Sequence, residues 1–400
     1  MNITDMVSEQ VQKFIRDNEN ADVSKLLLSG KSVGNLPISW VVDQIRARKK
    51  AKAKLPSWYE RSGVVFPPML SIEQSSSEIT GSYKSEIATG KRLIDLTGGM
   101  GIDSSFFARK CEEVCYVERH KDLVEIFEHN CEALGIKNID CVNGDGIAVI
   151  ENADEDYYDV IYLDPARRGK DNQKVFAIAD CEPDVVKLQK LFQQKAHKTL
   201  IKLSPMLDIS HTLSHLRNVK EVYVIAVDNE CKELLFLIER DLDGQPVIKT
   251  VNIESSAIQK LDFSQPEEQS ADLKIGNIGK FLYEPNVALL KAGAFKLPTS
   301  RYGIYKLDEH THLYSADILV PDFPGKVYEV DQYFQPNKKL IKKHLAHKKV
   351  SVKTRNFPES VSAIRKKYNL KDGNDAYVFF CQAEGKYTVV ECRKAGEDNY

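Results

Sequence analysis

The sequence lacks the features that mark membrane-spanning, secreted and zinc-binding proteins. No stretch of its 400 residues approaches the ~18 consecutive apolar residues that a membrane-spanning helix needs. The N-terminal stretch MNITDMVSEQ carries acidic residues where a signal peptide would have its apolar core. The eight cysteines are scattered without a Cys-x-x-Cys pair, which disfavours a zinc site and a disulfide framework. We therefore expect a cytoplasmic protein that needs neither a membrane nor a metal.

Positive charge is unevenly spread along the chain, although the formal net charge is only −2. Residues 338–367 contain eleven lysines and arginines against one acid, Glu359, and residues 46–54 contain six more basic residues. Such runs occur on solvated helix faces, and they are also the electrostatic signature of proteins that bind phosphate backbones. Both interpretations stay open on this evidence, and the second predicts a nucleic-acid partner.

Three regions with different patterns follow one another along the chain. Residues 1–66 show apolar residues at helical spacing and predict a small helical region. Residues 67–240 alternate strand-like and helical stretches, which predicts a mostly parallel sheet covered by helices on both faces. Residues 241–400 break into polar and proline-containing stretches, and we expect a separate α+β region there.

The last two predicted strands of the middle region differ from the others. EVYVIAV and KELLFLIE are separated only by DNEC, which is too short for a crossover helix. They must therefore form an antiparallel hairpin at the end of an otherwise parallel sheet. The predicted fold class is α/β, with a doubly wound sheet that ends in a hairpin.

A glycine-rich loop follows the first strand of this sheet. The stretch LIDLTGGMGID (93–103) predicts a buried strand, the loop TGGMG and the start of a helix capped by Asp103 or Ser104. Doubly wound sheets bind ligands at the carboxyl ends of their strands, and glycine lets a ligand approach the main chain. Dinucleotide-binding enzymes use Gly-x-Gly-x-x-Gly, but Ser104 stands where the third glycine would be. The loop predicts a ligand site, and a dinucleotide-dependent oxidoreductase is the least favoured interpretation.

Acidic residues follow the next three strands as well. Glu118 ends the second strand, where a carboxylate can accept hydrogen bonds from both hydroxyls of a ribose. Asp145 follows the third strand, where a short acid can accept a hydrogen bond from an adenine amino group, and Asp164 ends the fourth strand in YLDPARRG. Any one of these acids could be a turn or cap residue. Their order along successive strands instead predicts a ligand that contains a nucleoside.

This constellation resembles the class I S-adenosylmethionine-dependent methyltransferases over residues ~70–240, and the resemblance implies their seven-stranded Rossmann-like sheet. In that family the acid and glycine loop after strand one hold the methionine part of the cofactor. The acid after strand two holds the ribose, and the acid after strand three holds the adenine. The S-adenosyl-L-methionine-binding residues implied in this sequence are Asp95, Thr97, Gly98, Gly99, Gly101, Glu118, Asp145 and Asp164.

Thr97 departs from the pattern of that family, which is acid-x-Gly-x-Gly-x-Gly. It stands at the first glycine position with Gly98 beside it, a variant similar to that of some ribosomal RNA guanine methyltransferases. Related RNA and DNA methyltransferases cover the methionine end of the cofactor with a segment before the sheet, and Gln74 in FPPMLSIEQSSSE (66–78) stands at the matching place. In the same segment Ser75 and Glu78 are spaced as a capping box for the next helix.

The Asp-Pro pair after the fourth strand points to the methyl acceptor. Asp164 and Pro165 resemble the (Asp/Asn)-Pro-Pro-aromatic motif with which amino-methylating enzymes accept hydrogen bonds from an exocyclic NH₂ group and stack the base. Arg167 replaces the aromatic residue and could stack through its guanidinium plane or, like Arg168, pair with a phosphate. The resemblance therefore implies Asp164, Pro165 and Arg167 as catalytic residues.

DPARRG also resembles the Asp-Pro-Pro-Arg-x-Gly motif of the uracil-C5 RNA methyltransferases. Those enzymes need a cysteine nucleophile just after the fifth strand, because carbon 5 is not nucleophilic until carbon 6 has been attacked. The matching stretch TLIKLSPMLDIS contains no cysteine. Transfer to an exocyclic amine is therefore favoured.

The organisation of the whole chain is similar to that of a bacterial group in which a class I methyltransferase domain precedes a THUMP-like domain. True THUMP domains bind RNA on tRNA-modifying enzymes, which makes tRNA or rRNA the expected partner of the basic segments 46–54 and 338–367. Three hypotheses stay open: an RNA-directed methyltransferase, a methyltransferase for a protein or small molecule, and a catalytically silent RNA-binding module. The intact strand-end acids favour an enzyme over the third, and the basic segments favour RNA over the second.

Overall fold

The computed structural model describes residues 3–67, 69–167 and 178–396, which divide into two compact units. The first unit comprises the described residues up to 220 together with 235–244, and the second comprises 221–234 together with the described residues from 245 onward. Within these described ranges, no helix is long and apolar enough to cross a membrane.

The described N-terminal residues are helical, as predicted, and further helices alternate with the strands of the first unit. Trp58 and Phe127 stack with their ring centroids 6.5 Å apart, so the N-terminal helices share a hydrophobic core with the first helices of the sheet region. The helices are α1 (Ile3–Met6), α2 (Glu9–Asp17), α3 (Val23–Leu28), α4 (Ile38–Lys54), α5 (Pro56–Glu60), α6 (Met69–Gln74), α7 (Glu78–Ile87), α8 (Ile102–Phe107), α9 (Lys121–Leu134), α10 (Gly146–Asn152), α11 (Val185–Lys195) and α12 (Ile209–Leu213).

The central strands form the predicted parallel sheet. β1 (Arg92–Asp95) lies between β2 (Glu113–Glu118) and β4 (Tyr158–Leu163), and all three run parallel. β3 (Ile139–Asn143) continues the sheet beyond β2, and β7 (Ala196–Leu203) continues it beyond β4, again in parallel. The carboxyl ends of these five strands therefore meet at one edge, which is the edge that carries the glycine loop and the predicted acids.

The predicted hairpin is also present. β8 (Val219–Val227) and β9 (Glu230–Glu239) are joined by Asp228 and Asn229, whose φ angles are 50° and 60°. Two consecutive residues in the left-handed region make a type I′ turn, whose twist matches that of an antiparallel strand pair.

Among the described residues the sheet contains nine strands, so the predicted number of seven is wrong. β10 (Val247–Ile253) pairs in parallel with β8, and β11 (Ile258–Ser264) pairs antiparallel with β10. The spatial order is β11-β10-β8-β9-β7-β4-β1-β2-β3. The sequence pattern missed both extra strands because polar residues interrupt their apolar positions, and three of the seven residues of β10 and five of the seven of β11 are not buried.

A second sheet lies in the second unit. Its strands among the described residues are β12 (Phe281–Pro285), β13 (Tyr305–Asp308), β14 (Thr311–Ala316), β15 (Gly325–Phe334), β16 (Lys349–Arg355), β17 (Lys371–Ala383) and β18 (Lys386–Lys394), and the helices of this unit are α13 (Gln265–Ser270), α14 (Val287–Ala292), α15 (Leu297–Arg301), α16 (Lys338–Leu345) and α17 (Val361–Tyr368). The spatial order of the strands is β13-β14-β12-β15-β18-β17-β16. Neighbouring strands are antiparallel except β16 and β17, and two basic helices, α16 and α17, pack on one face. This arrangement confirms an α+β architecture for the C-terminal part.

The glycines of the loop after β1 make room for the protein's own aromatic rings. A Cβ atom on Gly98 would lie 2.2 Å from the Tyr116 ring, and one on Gly101 would lie 2.2 Å from the Phe127 ring. Gly101 also has a φ of 80°, in the left-handed region that side chains disfavour. Gly99 differs, because its φ is 54° but a Cβ there would meet nothing closer than Thr97 O at 3.8 Å. Gly98 and Gly101 therefore serve packing, and Gly99 leaves the outer side of the loop open.

Gly101→Ala should destabilise the protein more than Gly99→Ala. Both substitutions place a side chain at positive φ, which costs about 1–2 kcal/mol, but only the alanine at 101 also collides with a buried ring, which adds about 1–3 kcal/mol of overpacking. Urea unfolding of the two variants measures the difference. Equal losses of unfolding free energy would contradict the packing role of Gly101.

Candidate functional site

Glu118, at the end of β2, is held over the glycine loop by two backbone donors. Its Oε2 accepts a hydrogen bond from Gly99 N at 2.9 Å, and its Oε1 accepts one from His120 N at 2.8 Å. The residue is only partly buried. Each carboxylate oxygen has a second lone pair, so the oriented group can accept further hydrogen bonds from a ligand.

Asp95, at the end of β1, is buried and accepts a hydrogen bond from the backbone of the glycine loop. It is 1% exposed; its Oδ1 accepts from Thr97 N at 3.0 Å and its Oδ2 accepts from the Ser104 hydroxyl at 2.6 Å. Burial raises the pKa of Asp95 to about 7, and the nearby Asp103 carboxylate adds to this effect. The contacts of Asp95 are thus with the chain itself.

Thr97 connects the loop to the Asp-Pro motif after β4. Its hydroxyl oxygen accepts a hydrogen bond from Asp164 N at 2.7 Å. Glycine could not accept this bond, which gives a physical reason for threonine at the first glycine position. The bond joins the predicted cofactor loop to the predicted acceptor motif.

Asp164 forms an ion pair with Lys202, which the sequence analysis did not identify. Leu163 and Ile201 are register partners in the parallel pair β4–β7, so the residues that follow them emerge side by side. Lys202 Nζ contacts Asp164 Oδ2, and the exposed fractions of the two side chains are 12% and 37%. Among the residues that the structure describes, no donor to Asp164 Oδ1 accompanies the Lys202 contact at Oδ2. The signal in the sequence was a single lysine that interrupts the apolar run TLIKL.

For the other two residues predicted in the Asp-Pro motif, the structure describes Pro165 and the backbone of Arg167. Pro165 is buried directly after Asp164. Arg167 belongs to β5 (Ala166–Arg167), which pairs with β6 (Cys181–Glu182) after a short 3₁₀ helix at Ile178–Asp180. The side chain of Arg167 and the whole of Arg168 lie outside the described part of the structure.

A buried charged cluster lies beside these residues. Lys84 of α7 is fully buried, and its Nζ lies 3.1 Å from Asp103 Oδ1 and donates to Ser76 Oγ at 2.8 Å. Asp103 Oδ2 accepts from Ser76 Oγ at 2.8 Å and from the Tyr162 hydroxyl at 2.7 Å. Although burial opposes it, the charges of Lys84 and Lys202 hold the pKa of Asp103 below its ordinary value. Asp103 is therefore an anion between two lysines.

Two of the predicted helix caps are wrong. The N-cap of α8 is Gly101, not Asp103 or Ser104, because the side chains of those two residues bond to the cluster and to Asp95. The capping box of α7 is formed by Ser77 and Thr80, not by Ser75 and Glu78.

Glu78 and Gln74 also lie apart from the cluster. Glu78 accepts a hydrogen bond from Ser57 N at 2.9 Å, which takes its carboxylate towards α5. Gln74 is exposed at the last position of α6. Ser76 and Lys84 thus belong to the buried cluster, and the role of Gln74 at the cofactor stays a prediction.

Asp145 caps a helix at the same edge of the sheet. Its Oδ1 accepts from Ile147 N at 2.8 Å, and its Oδ2 pairs with Arg119 at 2.6 Å. Although burial opposes it, hydrogen bonds from the first turn of α10 and the Arg119 cation lower the pKa of Asp145. Arg119 also lies 3.2 Å from Glu182 of β6, so it links Asp145 to the strand pair that follows the Asp-Pro motif.

The basic run 46–54 largely serves the protein's own packing. Two alanines on the same face of α4 as its core residues are buried within this run. Arg48 donates to Tyr59 O at 3.0 Å, and Lys54 Nζ donates to Ile72 O at 2.6 Å. Lys49 and Lys50 are exposed and form no ion pair with any residue that the structure describes. The number of basic residues in this run therefore exceeds the number of cations that α4 exposes without a contact inside the protein.

The segment 338–367 divides into paired and unpaired cations. The four lysines of α16, which are Lys338, Lys339, Lys342 and Lys343, are exposed, and none forms an ion pair within the described ranges. Five other cations of the segment are neutralised by carboxylates, in the pairs Lys348–Glu391, Lys353–Glu284, Arg355–Glu284, Arg365–Asp372 and Lys367–Glu359. The available positive field is thus concentrated on α16.

Known proteins resemble this chain along its whole length. Residues 71–201 match the family described as Conserved hypothetical protein 95, residues 281–324 match a ferredoxin-like domain and residues 325–394 match a family described as THUMP domain-like. A crystal structure of a candidate methyltransferase from Porphyromonas gingivalis W83 is 32% identical, with a TM-score of 0.87 over 96% of this chain and 97% of that chain.

Two named relatives match less closely. An uncharacterized S-adenosylmethionine-dependent methyltransferase of Mycobacterium tuberculosis is 23% identical over 289 residues, which are 72% of this chain and 76% of that protein. An uncharacterized RNA methyltransferase of Mycoplasma mobile is 25% identical over 154 residues, which are 37% of this chain and 42% of that protein.

Family membership follows from the full-length likeness. The 32% identity to the Porphyromonas gingivalis protein extends over nearly all of both chains. The glycine loop, the strand-end acids and the Asp-Pro motif lie at one edge of a mostly parallel sheet that includes the expected hairpin. The chain therefore belongs to this family of S-adenosylmethionine-dependent methyltransferases with a C-terminal THUMP-like domain.

Proposed function

We propose that the protein transfers a methyl group from S-adenosylmethionine to an exocyclic amine of a base in structured RNA, either tRNA or rRNA. The observation that carries the proposal is the placement of Asp164. Its backbone N–H is bonded to the proposed cofactor loop through Thr97, and its carboxylate lies at the same edge of the sheet with Oδ1 lacking a donor among the described residues. When bound, S-adenosylmethionine supplies an electrophilic methyl group on a sulfonium centre, so the protein mainly has to align the acceptor and exclude water.

The residues around the glycine loop fit the nucleoside end of this cofactor. Glu118 presents an oriented carboxylate that can accept hydrogen bonds from a ribose diol, and the space outside Gly99 is open. Asp95 and Thr97 hold the loop in shape, while Gly98 and Gly101 let it pack closely on Tyr116 and Phe127. Asp145 would have to share or exchange its Arg119 partner in order to accept a hydrogen bond from adenine.

The proposed role of Asp164 is to bind the amine that receives the methyl group. Lys202 holds Oδ2 of this carboxylate, which leaves Oδ1 to accept a hydrogen bond from an exocyclic NH₂ group. That bond would direct the nitrogen lone pair and, once the methyl group is transferred, would hold the proton that the nitrogen must release. Pro165 fixes the backbone after Asp164, and Arg167 is the residue proposed to contact the base or its phosphate.

RNA is the proposed partner because of the charge on α16 and the names of the relatives. The four lysines of α16 lie in the THUMP-like region and have no carboxylate partners in the part of the chain described. The Mycoplasma mobile relative is named as an RNA methyltransferase. Clustered cations without partners bind phosphate backbones by releasing condensed counterions.

Glu118→Ala should weaken the binding of S-adenosylmethionine and of S-adenosylhomocysteine. The variant loses hydrogen bonds from the ribose to a charged acceptor, which are worth about 1.5–3 kcal/mol. Isothermal titration calorimetry measures the affinity. The control is Glu112→Ala, which removes an exposed acid just before the amino end of β2. Equal affinities of both variants and the wild type would remove Glu118 from the cofactor site.

Asp164→Ala should abolish methyl transfer while it changes cofactor affinity by only a few-fold. The substitution removes the proposed acceptor of the amine hydrogen bond, and positioned proton acceptors contribute about 10²-fold or more to turnover. Labelled cofactor and total RNA from cells that lack the gene measure transfer, and mass spectrometry of nucleosides identifies the methylated base. Asp154→Ala, an exposed loop acid, is the control. Normal turnover in Asp164→Ala, or label found in protein instead of RNA, would rule out the proposed reaction.

Replacing the four α16 lysines with alanine should weaken RNA binding and flatten its salt dependence. Each lost phosphate contact lowers the log–log slope by about 0.7–0.9, so four contacts lower it by about 3. Filter binding of tRNA and rRNA fragments from low to high salt measures the slope. A control variant with the same charge change replaces four exposed lysines elsewhere in the second unit, which are Lys274, Lys280, Lys326 and Lys386. The role assigned to α16 fails if the two variants lose affinity equally.

A further inference from the structure

A second concave site lies at the opposite edge of the parallel sheet from the glycine loop. This pocket of about 540 Å³ is lined by residues of α5, by the C-terminal end of α8 and by the connection between α9 and β3. Ala108 and Arg109 lead towards the amino end of β2, and Asn138 directly precedes β3. The pocket is therefore separate from the carboxyl edge that carries Glu118 and Asp164.

The pocket carries positive charge that no carboxylate among the described residues neutralises, although the Arg109 guanidinium also stacks over the Phe106 ring at 4.2 Å. Its lining includes Arg61, Arg109 and Lys137 and contains no acidic residue. All three cations are exposed, and none of them forms an ion pair with a residue in the described ranges. The neighbouring Lys110 behaves differently, because its Nζ pairs with Glu86 at 2.7 Å.

Helix ends alone do not account for these cations. The C-termini of α8 and α9 point towards the pocket, and cations often compensate the partial negative charge of such ends. Here amide groups already bond to several carbonyls at and just beyond these helix ends. Asn138 Nδ2 donates to Ala108 O at 2.9 Å and to Cys111 O at 3.0 Å, and Ile136 N donates to Cys131 O at 2.8 Å.

The rest of the lining combines apolar and polar surface. Leu134, Ile136 and Ala108 provide apolar contacts, and the buried Trp58 lies behind them. The Ser57 hydroxyl in the wall is buried and has no hydrogen-bond partner among the described residues. The volume falls within the ~300–1,000 Å³ typical of small-ligand sites. A mixed lining of this kind suits a flat ring with polar edges better than a hydrocarbon chain.

We propose that this pocket binds a nucleotide, with the phosphate between Arg61, Arg109 and Lys137 and the base against Leu134 and Ile136. Guanidinium groups match the oxygens of a phosphate in a bidentate way, and lysine adds a point charge. The shared chemistry is that of a nucleoside monophosphate, which is supplied either by a free nucleotide or by an RNA strand. The choice of this ligand over other anions rests on the RNA partner proposed above.

The two tryptophans of the chain allow a direct test. Trp40 is 41% exposed, so Trp40→Phe should be tolerated and leaves Trp58, at the pocket, as the single fluorescent reporter. AMP, UMP, inorganic phosphate and a single-stranded RNA octamer are titrated into this protein, with calorimetry on the same samples. The nucleotides should bind saturably and more tightly than inorganic phosphate. Arg109→Ala should weaken their binding by about tenfold or more.

Lys110→Ala is the matched control and should leave binding unchanged. If Arg109→Ala weakens the octamer as well as the mononucleotides, the pocket takes nucleotides of an RNA strand, and if it weakens only the mononucleotides the source is a free nucleotide. No saturable binding of any nucleotide by either method, phosphate binding as tight as nucleotide binding, or an equal loss in Lys110→Ala would overturn the proposal. The S-adenosylmethionine affinity of Arg109→Ala should equal that of the wild type, so failure here is distinguishable from failure of the proposed methyl transfer.

Discussion

The hydrogen bond from Asp164 N to the Thr97 hydroxyl joins the two loops on which the site depends. Asp95 and Tyr162 are register partners in the parallel pair β1–β4, so the residues that follow each strand leave the sheet at the same level. Through this proximity the Thr97 hydroxyl connects the glycine loop to the Asp-Pro motif. An enzyme that transfers a methyl group must hold donor and acceptor in line, and a bond between the two loops restricts how far they can move apart.

Buried charges support this link from within the first unit. The side chains of Lys84, Asp103, Lys202 and Asp164 place cations next to anions, which offsets the cost of removing them from water. Burial raises the pKa of Asp95 to about 7, whereas two lysines keep the pKa of nearby Asp103 low. Burial and the two lysines therefore shift the pKa values of these neighbouring carboxyl groups in opposite directions. Loss of one member of such a set leaves a partner charge without compensation, so we propose Lys84, Asp103 and Lys202 as positioning groups for Asp164.

The use of positive charge differs between the two basic segments. In α4, Arg48 and Lys54 donate to backbone carbonyls of the N-terminal region and so help to pack it. In the second unit, Glu284 alone neutralises both Lys353 and Arg355 although it lies outside the basic segment of the sequence. The lysines of α16 have no carboxylate partner among the residues that the structure describes. The net charge of a sequence segment therefore equals the positive charge open to a partner only where the fold places no carboxylates from other segments beside it.

Much of the fold was determined by local patterns in the sequence. The alternation of strands and helices, the short connection before β9 and the glycine loop with its strand-end acids each depend on residues close together along the chain, and the structure contains all of them. Only the tertiary structure decided which of these residues act together. Lys202 and Asp164 are 38 residues apart and meet because β4 and β7 are neighbours. The pair β10–β11 joins the sheet because β10 pairs with β8, a contact that its interrupted apolar pattern does not predict. The same holds for the loop glycines: the sequence shows where they are, but the buried rings that require two of them come from β2 and α9 and are brought there by packing, which a local pattern does not encode.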